Sequence, residues 1–488
     1  MRVFQRIHRK LNWSVKRYMM VIALILLITY VASAIFQTYK SIPEGLDFAG
    51  QTHASNVEFL ADRTFVDGSG QRQHEQQIFD AMLTLIDQAQ STIVLDMFLF
   101  NAELGESKMQ HRPLTVQLTK ALIDKKKINP RMQIVLITDP INTVYGGVRP
   151  EHLHQLENAG IKVVVTDLRP LRASNPAWSG LWYMCCQSLG NNTETGWLPN
   201  PFGAQKITLR SYLALANFKA NHRKTMVVDT LTGWKTLISS ANPHDASSEH
   251  SNAAMIIHGK IASEVLATEA TVAKMSQGDV PALIMGENKV TGDAPQVQLL
   301  TEAQIYDHVL KSINATASGE QLDLMMFYLS ERHIVKALIA AKQRGVKVNV
   351  LLDPNKDAFG MQKNGIPNRQ VAWELHKNDV PVRWCNTQGE QCHSKLLVIT
   401  KQDQTKQVIL GSANYTARNL KNYNLETNVA VTGQASYPAI ASAQQYFDQA
   451  WQNQNGQVMS VDYDQYKDES WLKYWLYRFM EWSGLSTF

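Results

Sequence analysis

Nineteen consecutive residues, Tyr18 to Phe36, carry no charge, and their centre from Val21 to Ile28 is strongly apolar. At helical rise such a run spans about 30 Å, the thickness of a bilayer's hydrocarbon layer. A buried core helix would rarely lack charge over so many positions, so the pattern predicts a membrane helix over 18–36. Beyond it the periodicity changes. Ile78, Met82, Leu85 and Ile86 recur at helical spacing, and Ile305, Val309 and Ile313 do the same after a related opening, Gln77-Ile78-Phe79-Asp80 against Gln304-Ile305-Tyr306-Asp307. Continuous apolar runs of strand length follow each: Ile93-Val94-Leu95-Asp96-Met97-Phe98 and Leu322-Asp323-Leu324-Met325-Met326-Phe327. After a further helical stretch come Gln133 to Pro140 and Val348 to Pro354, both ending in Asp-Pro. Another helix then leads to Ile161–Val165 in one part and Val380–Trp384 in the other.

Each part therefore reads as helix, strand, helix, strand, helix, strand and a final hairpin. Such alternation predicts an α/β class fold, a layered sheet covered by helices, present twice. The predicted organisation is a basic head (1–17), a transmembrane anchor (18–36), a first half (60–278), a second half (299–455) and a C-terminal segment (456–488). The boundary falls where Gly, Pro and Asn cluster, near Gly278 to Gln298. The first half carries an insertion at 166–220, rich in Trp, Gly, Pro and Asn, where the second has only Cys385 to Cys392. A loop of that length beside a motif is expected to wall a pocket. Trp471 to Trp482 is too charged to span a membrane; its aromatics suit either a helix lying on headgroups or one packed on the domain.

Charge sharpens this picture. Six of the 48 lysines and arginines lie in the first seventeen residues, so 42 remain against 43 acids. A nucleic-acid binder would show a basic excess in its folded part. The basic flank predicts a head in the cytoplasm and a catalytic region outside the inner membrane. Ala32-Ser33-Ala34 fits a cleavage site, but the long apolar run and long basic head favour an uncleaved, single-pass anchor. Of the four cysteines, Cys385 and Cys392 flank a short loop and can pair in an oxidising compartment, and Cys185-Cys186 is a vicinal pair. Their spacing does not suit zinc.

The final hairpins carry the chemistry. His222-Arg223-Lys224 and His393-Ser394-Lys395 are each followed, after an apolar stretch, by Ser-x-Asn: Ser240-Ala241-Asn242 and Ser412-Ala413-Asn414. Alternation places His222, Lys224, Met226 and Val228 on one strand face, with Asp229 closing the strand. Alone, one His-x-Lys reads as a surface pair; two at matching places point to one site built from two halves. A neutral imidazole can attack phosphorus, a second imidazolium can protonate the leaving alkoxide, and Lys, Asn and Ser groups can hold the negative oxygens. No His/Asp/Glu cluster has convincing metal spacing, and neither metal nor cofactor is expected.

At these residues the chain resembles the phospholipase D superfamily, whose signature is His-x-Lys-x4-Asp with a following Gly-Ser-x-Asn. The resemblance covers about residues 60 to 455 and implies a duplicated fold with pseudo-twofold symmetry and a shared active site. It implies His222 as nucleophile and His393 as general acid, with Lys224, Lys395, Asn242 and Asn414, joined by Ser240 and Ser412, around the phosphate. Asp229 is the first motif's acid, and Glu426 fits the supporting acidic position of the second half; the first half offers Glu249 or His250 less clearly. Two departures stand out. Thr400 occupies the second motif's Asp position, and Ser239-Ser240 replaces Gly-Ser. Anchor, neutral ectodomain and aromatic tail point to membrane phospholipids as substrate and the bilayer as partner. The resemblance thus implies a cardiolipin-synthase-like or phospholipase D-like enzyme working through phospho-histidine. An extracytoplasmic nuclease is the alternative, though no nucleic-acid partner is expected, and a catalytically silent lipid-binding protein is a third reading, resting on Thr400. A monomer is expected.

Overall fold

In the computed structural model, which describes residues 13–107, 110–282, 290–486 and 488, the apolar run is one continuous helix, α1 (Val15–Tyr39). It extends past both ends of the charge-free run, is long and apolar enough to cross a membrane, and fits a single-pass anchor. Most of the basic head (Arg2, Arg6, Arg9, Lys10) and part of the predicted boundary at 278–298 lie outside the described residues.

The first half begins with β1 (Val57–Val66) and α2 (Ile78–Gln88), then β2 (Thr92–Met97), α3 (Leu114–Ile128), β3 (Gln133–Thr138), α4 (Glu151–Asn158) and β4 (Lys162–Val165). The insertion follows, containing α5 (Pro176–Leu181), and then β5 (Lys224–Thr230), β6 (Gly233–Ser239), β7 (Asn252–His258) and α6 (Ile261–Met275). The second half repeats the series: β8 (Gln296–Thr301), α7 (Ala303–Asn314), β9 (Gln321–Met326), α8 (Arg332–Gln343), β10 (Lys347–Leu352), α9 (Asn368–His376) and β11 (Val382–Cys385). It continues with β12 (Lys395–Thr400), β13 (Thr405–Gly411), β14 (Thr427–Gln434) and α10 (Pro438–Gln452), and closes with β15 (Ser460–Asp462) and α11 (Trp471–Ser483).

Seven strands of each sheet share one order: β1-β7-β6-β5-β2-β3-β4 in the first and β8-β14-β13-β12-β9-β10-β11 in the second. In both, only the last three run parallel to one another. The predicted series is present in full. Each half also has a leading strand (β1, β8), a strand after Ser-x-Asn (β7, β14) and a closing helix (α6, α10) that the sequence reading did not include. Their apolar runs, such as Ala253–Ile257, are short and draw their definition from the neighbouring strands rather than from their own period.

Strand alternation sorts the apolar side chains into three cores. Val94, Val227, Met325, Leu396 and Val398 face a common core between the halves, joined by Val265 of α6 and Phe447 of α10. Ile93, Leu95, Met226 and Val228 point outward under the first half's own helices, and Leu397 and Ile399 do so in the second. The halves are thus sealed to each other along one sheet face, and the ends of β5 and β12 meet at their junction.

Cys185–Cys186 and Cys385–Cys392 are both disulfides, the second closing the loop that ends at His393. Helix α11 packs on the domain, one of the two alternatives raised for the tail. Tyr477 is buried and donates to the Ser330 carbonyl, and Glu481 accepts from Ser330 Oγ at 2.7 Å. The opposite face leaves Trp471, Leu472, Trp475, Phe479 and Trp482 exposed.

Candidate active site

The two motif strands are placed by a reciprocal exchange between halves. His222 N donates to Leu425 O and Leu425 N to Ala220 O, while Ser251 N donates to Gln391 O and His393 N to Ser251 O. Each motif histidine is therefore set in register by a segment of the other half. A second device repeats as well. The Asp of each Asp-Pro pair accepts from the backbone N–H just before a motif histidine: Asp139 from Asn221 at 2.6 Å and Asp353 from Cys392 at 2.8 Å. Burial raises both, Asp139 to about 7 and Asp353 to about 6.

His222 and His393 open onto one cavity of about 560 Å³, together with Asn242 and Asn414. Behind each histidine stands its lysine. Lys224 Nζ donates to the His222 carbonyl and Lys395 Nζ to the His393 carbonyl, both at 2.6 Å. A phenylalanine at the end of each repeated strand run completes the group. Phe98 lies 4.6 Å from the His222 ring and under Lys224, and Phe327 lies 4.9 Å from His393 and under Lys395. Both phenylalanines end the repeated apolar runs of the sequence, and that shared position is their one local signal. Each face offers an ammonium a π surface and keeps water away from the imidazole. Burial lowers Lys224 to about 7 and lowers Lys395 well below its usual range.

The halves differ in what holds the imidazoles. His222 Nδ1 is 2.9 Å from Glu426 Oε1, a carboxylate of the second half. Glu426 also accepts from Ser412 Oγ and Asn419 Nδ2. Burial would raise Glu426, but His222, Lys224 and Ser412 bring it below its ordinary value, so it is ionised. Burial depresses His222 to about 4 against the pull of Glu426. The resting state is a neutral imidazole whose Nδ1–H, assigned from this network, points at the carboxylate and leaves Nε2 a free lone pair. His393 Nδ1 instead meets Asn252 Oδ1 at 3.2 Å. Burial and then the charges of Lys395, His250 and Lys224 push His393 well below its usual value.

Asn252 is the counterpart of Glu426 by position. Ser240 Oγ donates to Asn252 Oδ1 and accepts from Ala253 N, as Ser412 Oγ donates to Glu426 and accepts from Thr427 N. Neither residue anticipated for this place takes it. Glu249 pairs with Arg72 at 2.7 Å, and His250 lines the cavity with its ring 5.8 Å from His393. Two further expectations are corrected. Ser240 and Ser412, expected at the phosphate, are fully buried and spend their hydroxyls on Asn252 and Glu426. Asp229, grouped with the catalytic residues, sits at the far end of β5. Its carboxylate accepts from the backbone N–H groups of Gln90, Ser91 and Thr92 and from Ser91 Oγ, fixing the entry to β2. Thr400 occupies the same end of β12 and accepts from Lys406 Nζ at 2.6 Å. Among the described residues no group of three or more His, Cys, Asp or Glu is placed to hold a metal ion.

Chemically, the cavity presents two imidazoles and two side-chain amides, with Lys224 and Lys395 buried directly behind the histidines. One end of the Asn414 amide, Oδ1, is buried without a hydrogen-bond partner among the described residues. Residues 309–451 match the family model described as cardiolipin synthase, PLD-like domain. No curated protein matches the sequence. Among solved structures the chain is similar to phosphatidylserine synthase of Haemophilus influenzae Rd KW20, with 10% identity, 90% of this chain and 96% of that one covered, and a TM-score of 0.53. A phospholipase D family member, Nuc, from Salmonella typhimurium aligns with 36% of this chain and 99% of its own at 22% identity and a TM-score of 0.27.

Proposed function

We propose that this chain, a member of the phospholipase D superfamily, breaks a phosphodiester of membrane glycerophospholipids and passes the phosphatidyl group to water or an alcohol. The observation that carries the reading is the pair of motif histidines on one cavity, one backed by the carboxylate of the opposite half. In the first step His222 Nε2 attacks phosphorus, the bond to the headgroup oxygen breaks, and that oxygen takes the proton of His393. Glu426 stabilises the positive charge growing on His222, while Lys224, Lys395, Asn242 and Asn414 hold the non-bridging oxygens. In the second step water or an alcohol gives its proton to His393 and attacks phosphorus, and the P–N bond breaks. An anion between the two lysines offsets their charge and favours protonated His393, so the acid is made ready by binding the substrate.

Lipid as substrate is supported by the cavity wall, where Phe202, Phe218, Phe359 and Phe488 outnumber the cations Lys219, Lys363 and Arg418. It is supported also by α1 and by the charge balance of the chain beyond it. In this reading the catalytic halves lie on the outer face of the inner membrane with the basic head in the cytoplasm. Release of glycerol from one phosphatidylglycerol and transfer of its phosphatidyl group to a headgroup hydroxyl of a second would make the reaction cardiolipin-synthase-like. The test is the purified full chain with phosphatidylglycerol: phosphatidic acid, or cardiolipin plus glycerol, is expected. Cleavage of single-stranded DNA with no lipid turnover would replace this reading with the nuclease one.

A further inference from the structure

The insertion does more than wall the cavity. Between Arg172 and Glu194 it has no charged side chain and no histidine. It runs antiparallel along α1: Arg172 Nε donates to Lys40 O, Ala173 N to Gln37 O, and farther along Tyr30 Oη donates to Ala177 O at 2.9 Å. At Gly180 the backbone of α5 comes so close that a Cβ would lie 2.9 Å from the Tyr30 ring and 3.0 Å from Ala34 Cβ. Tyr30 and Ala34 belong to the charge-free run of α1. Ten residues of helix separate Lys40 from Tyr30, about 15 Å along the axis. If α1 crosses a bilayer, α5 sits at the depth of that run, with Leu181 and Leu189 exposed beside it.

Helix α11 continues the same surface. Its end rests on the start of α5, where a Cβ on Gly484 would lie 3.3 Å from Asn175 Cα, and Arg418 ties the two by donating to Ser174 Oγ and the Ser486 carbonyl. Its exposed face is the stripe of Trp471, Trp475, Phe479 and Trp482, the residue types that favour the headgroup layer. Arg418 and Phe488 of this junction also line the catalytic cavity.

We propose that α5 and the outer face of α11 form a second membrane contact, and that the catalytic cavity is thereby held with its rim against the bilayer that α1 crosses. Lipid then enters from the membrane plane without crossing water. The entry route rests on the phospholipid reading; the contact rests only on α1 being a membrane helix. Burying an uncharged, aromatic-rich segment in the outer layer adds apolar contact to a single-helix anchor and removes its freedom to swivel.

The test uses the full chain in nanodiscs of phosphatidylethanolamine and phosphatidylglycerol, spin-labelled at one engineered thiol, since the four native cysteines are paired. Leu181→Cys and Trp475→Cys are compared with Leu231→Cys, an 88% exposed residue in the β5–β6 turn. Relaxation by oxygen relative to a water-soluble nickel chelate is expected to be several-fold higher at 181 and 475 than at 231. Equal values at the three sites, or label–label coupling showing that a second copy covers the face, would overturn the contact whether or not any lipid is turned over. For the entry route, Leu181→Asp with Trp475→Asp should lower several-fold the ratio of turnover on bilayer phosphatidylglycerol to turnover on its short-chain soluble form. An unchanged ratio overturns the route. A wild type that turns over neither lipid removes the phospholipid reading and the route with it, while the labels still decide the contact.

Discussion

Along their seven shared strands the two halves repeat one another, and at the candidate active site they part. Both sheets deliver a histidine, a lysine, a phenylalanine and a Ser-x-Asn to the junction. Each histidine then leans on one residue of the opposite half, Glu426 behind His222 and Asn252 behind His393. The residue between His and Lys differs too. Arg223 is buried between Glu302 at 2.8 Å and Glu269 at 3.4 Å, whereas Ser394 Oγ pairs with the Tyr446 hydroxyl at 2.8 Å. A carboxylate of the opposite half thus backs His222, and a neutral amide backs His393. In the proposed mechanism the carboxylate favours the imidazole that becomes positive on attacking phosphorus, and the amide leaves the other's proton loosely held, as a donor to the leaving oxygen needs. A duplicated chain begins with two equal imidazoles, and one exchange of amide for carboxylate makes them unequal.

The harshest way to break this comparison is to remove the histidines one at a time. His222→Asn and His393→Asn should each lower turnover of a natural lipid about 10⁴-fold or more, as losses of a nucleophile or its proton partner do. They should separate on an activated substrate. A p-nitrophenyl phosphodiester needs little help with its leaving group, so His393→Asn is expected to keep a substantial burst of nitrophenol and accumulate phosphoenzyme, while His222→Asn gives neither. The reverse pattern would exchange the roles of the halves.

Next come the lysines. Lys224→Met and Lys395→Met each remove a charge that the proposed mechanism uses on the phosphate, and a loss of about 10²–10³-fold in kcat is expected. The same changes should stabilise the fold. Lys224 is lowered by burial from 10.5 to about 7, so between those values the unfolded chain holds a proton that the folded chain lacks. Stability therefore rises with pH across that window, and the burden of the buried charge is complete below about 7. Tm of Lys224→Met should exceed the wild type by more at pH 6 than at pH 9. A Tm gain that is flat with pH would show that packing and not charge is responsible.

Glu426 and its motif were legible in the sequence, and Asn252 was not, for a physical reason. Glu426 stands twelve residues after Asn414, but the matching loop of the first half places Asn252 only ten after Asn242, and an amide in place of the acid removes the chemical signal. Only the strand register, with Ser240 N on Ala253 O and Ser412 N on Thr427 O, equates them. The repeated helices and strands were visible because β2, β3, β9 and β10 are buried on both faces and read as unbroken apolar runs. The serines of Ser-x-Asn were misjudged because sequence spacing says nothing of which way a hydroxyl turns once the strand ends. The docking of α5 on α1 joins segments about 150 residues apart and has no local trace.

Exchanging the supports is a gentler test. Glu426→Gln replaces a charged hydrogen bond, worth about 1.5–3 kcal/mol or roughly 10- to 100-fold in rate. Because Glu426 raises the His222 pKa, its loss should also move the acid limb of kcat/KM to lower pH than in the wild type. Asn252→Asp should act on the other limb. A carboxylate behind His393 raises its pKa, extending activity to higher pH with a change in maximal rate of less than about tenfold. If the two variants shift the same limb, the division of labour between the histidines is not set by their supports.

The smallest effects are expected at the far ends of the motif strands, where the halves differ by Asp229 against Thr400. Asp229 holds three backbone N–H groups and one hydroxyl at the start of β2, and Thr400 takes one bond from Lys406, which also reaches Gln444 at 2.7 Å. Asp229→Thr strands those donors and should cost about 1–3 kcal/mol of stability. Since β2 also carries the chain to Phe98 beside His222, a fall of a few-fold in kcat should accompany it, with KM little changed. Thr400→Asp gains one ion pair with the partly exposed Lys406, worth at most about 1 kcal/mol, and should leave turnover within about twofold of wild type. A large gain in kcat from Thr400→Asp would mean that the second strand's far end limits the natural enzyme, and that the inequality of the halves extends well beyond Glu426 and Asn252.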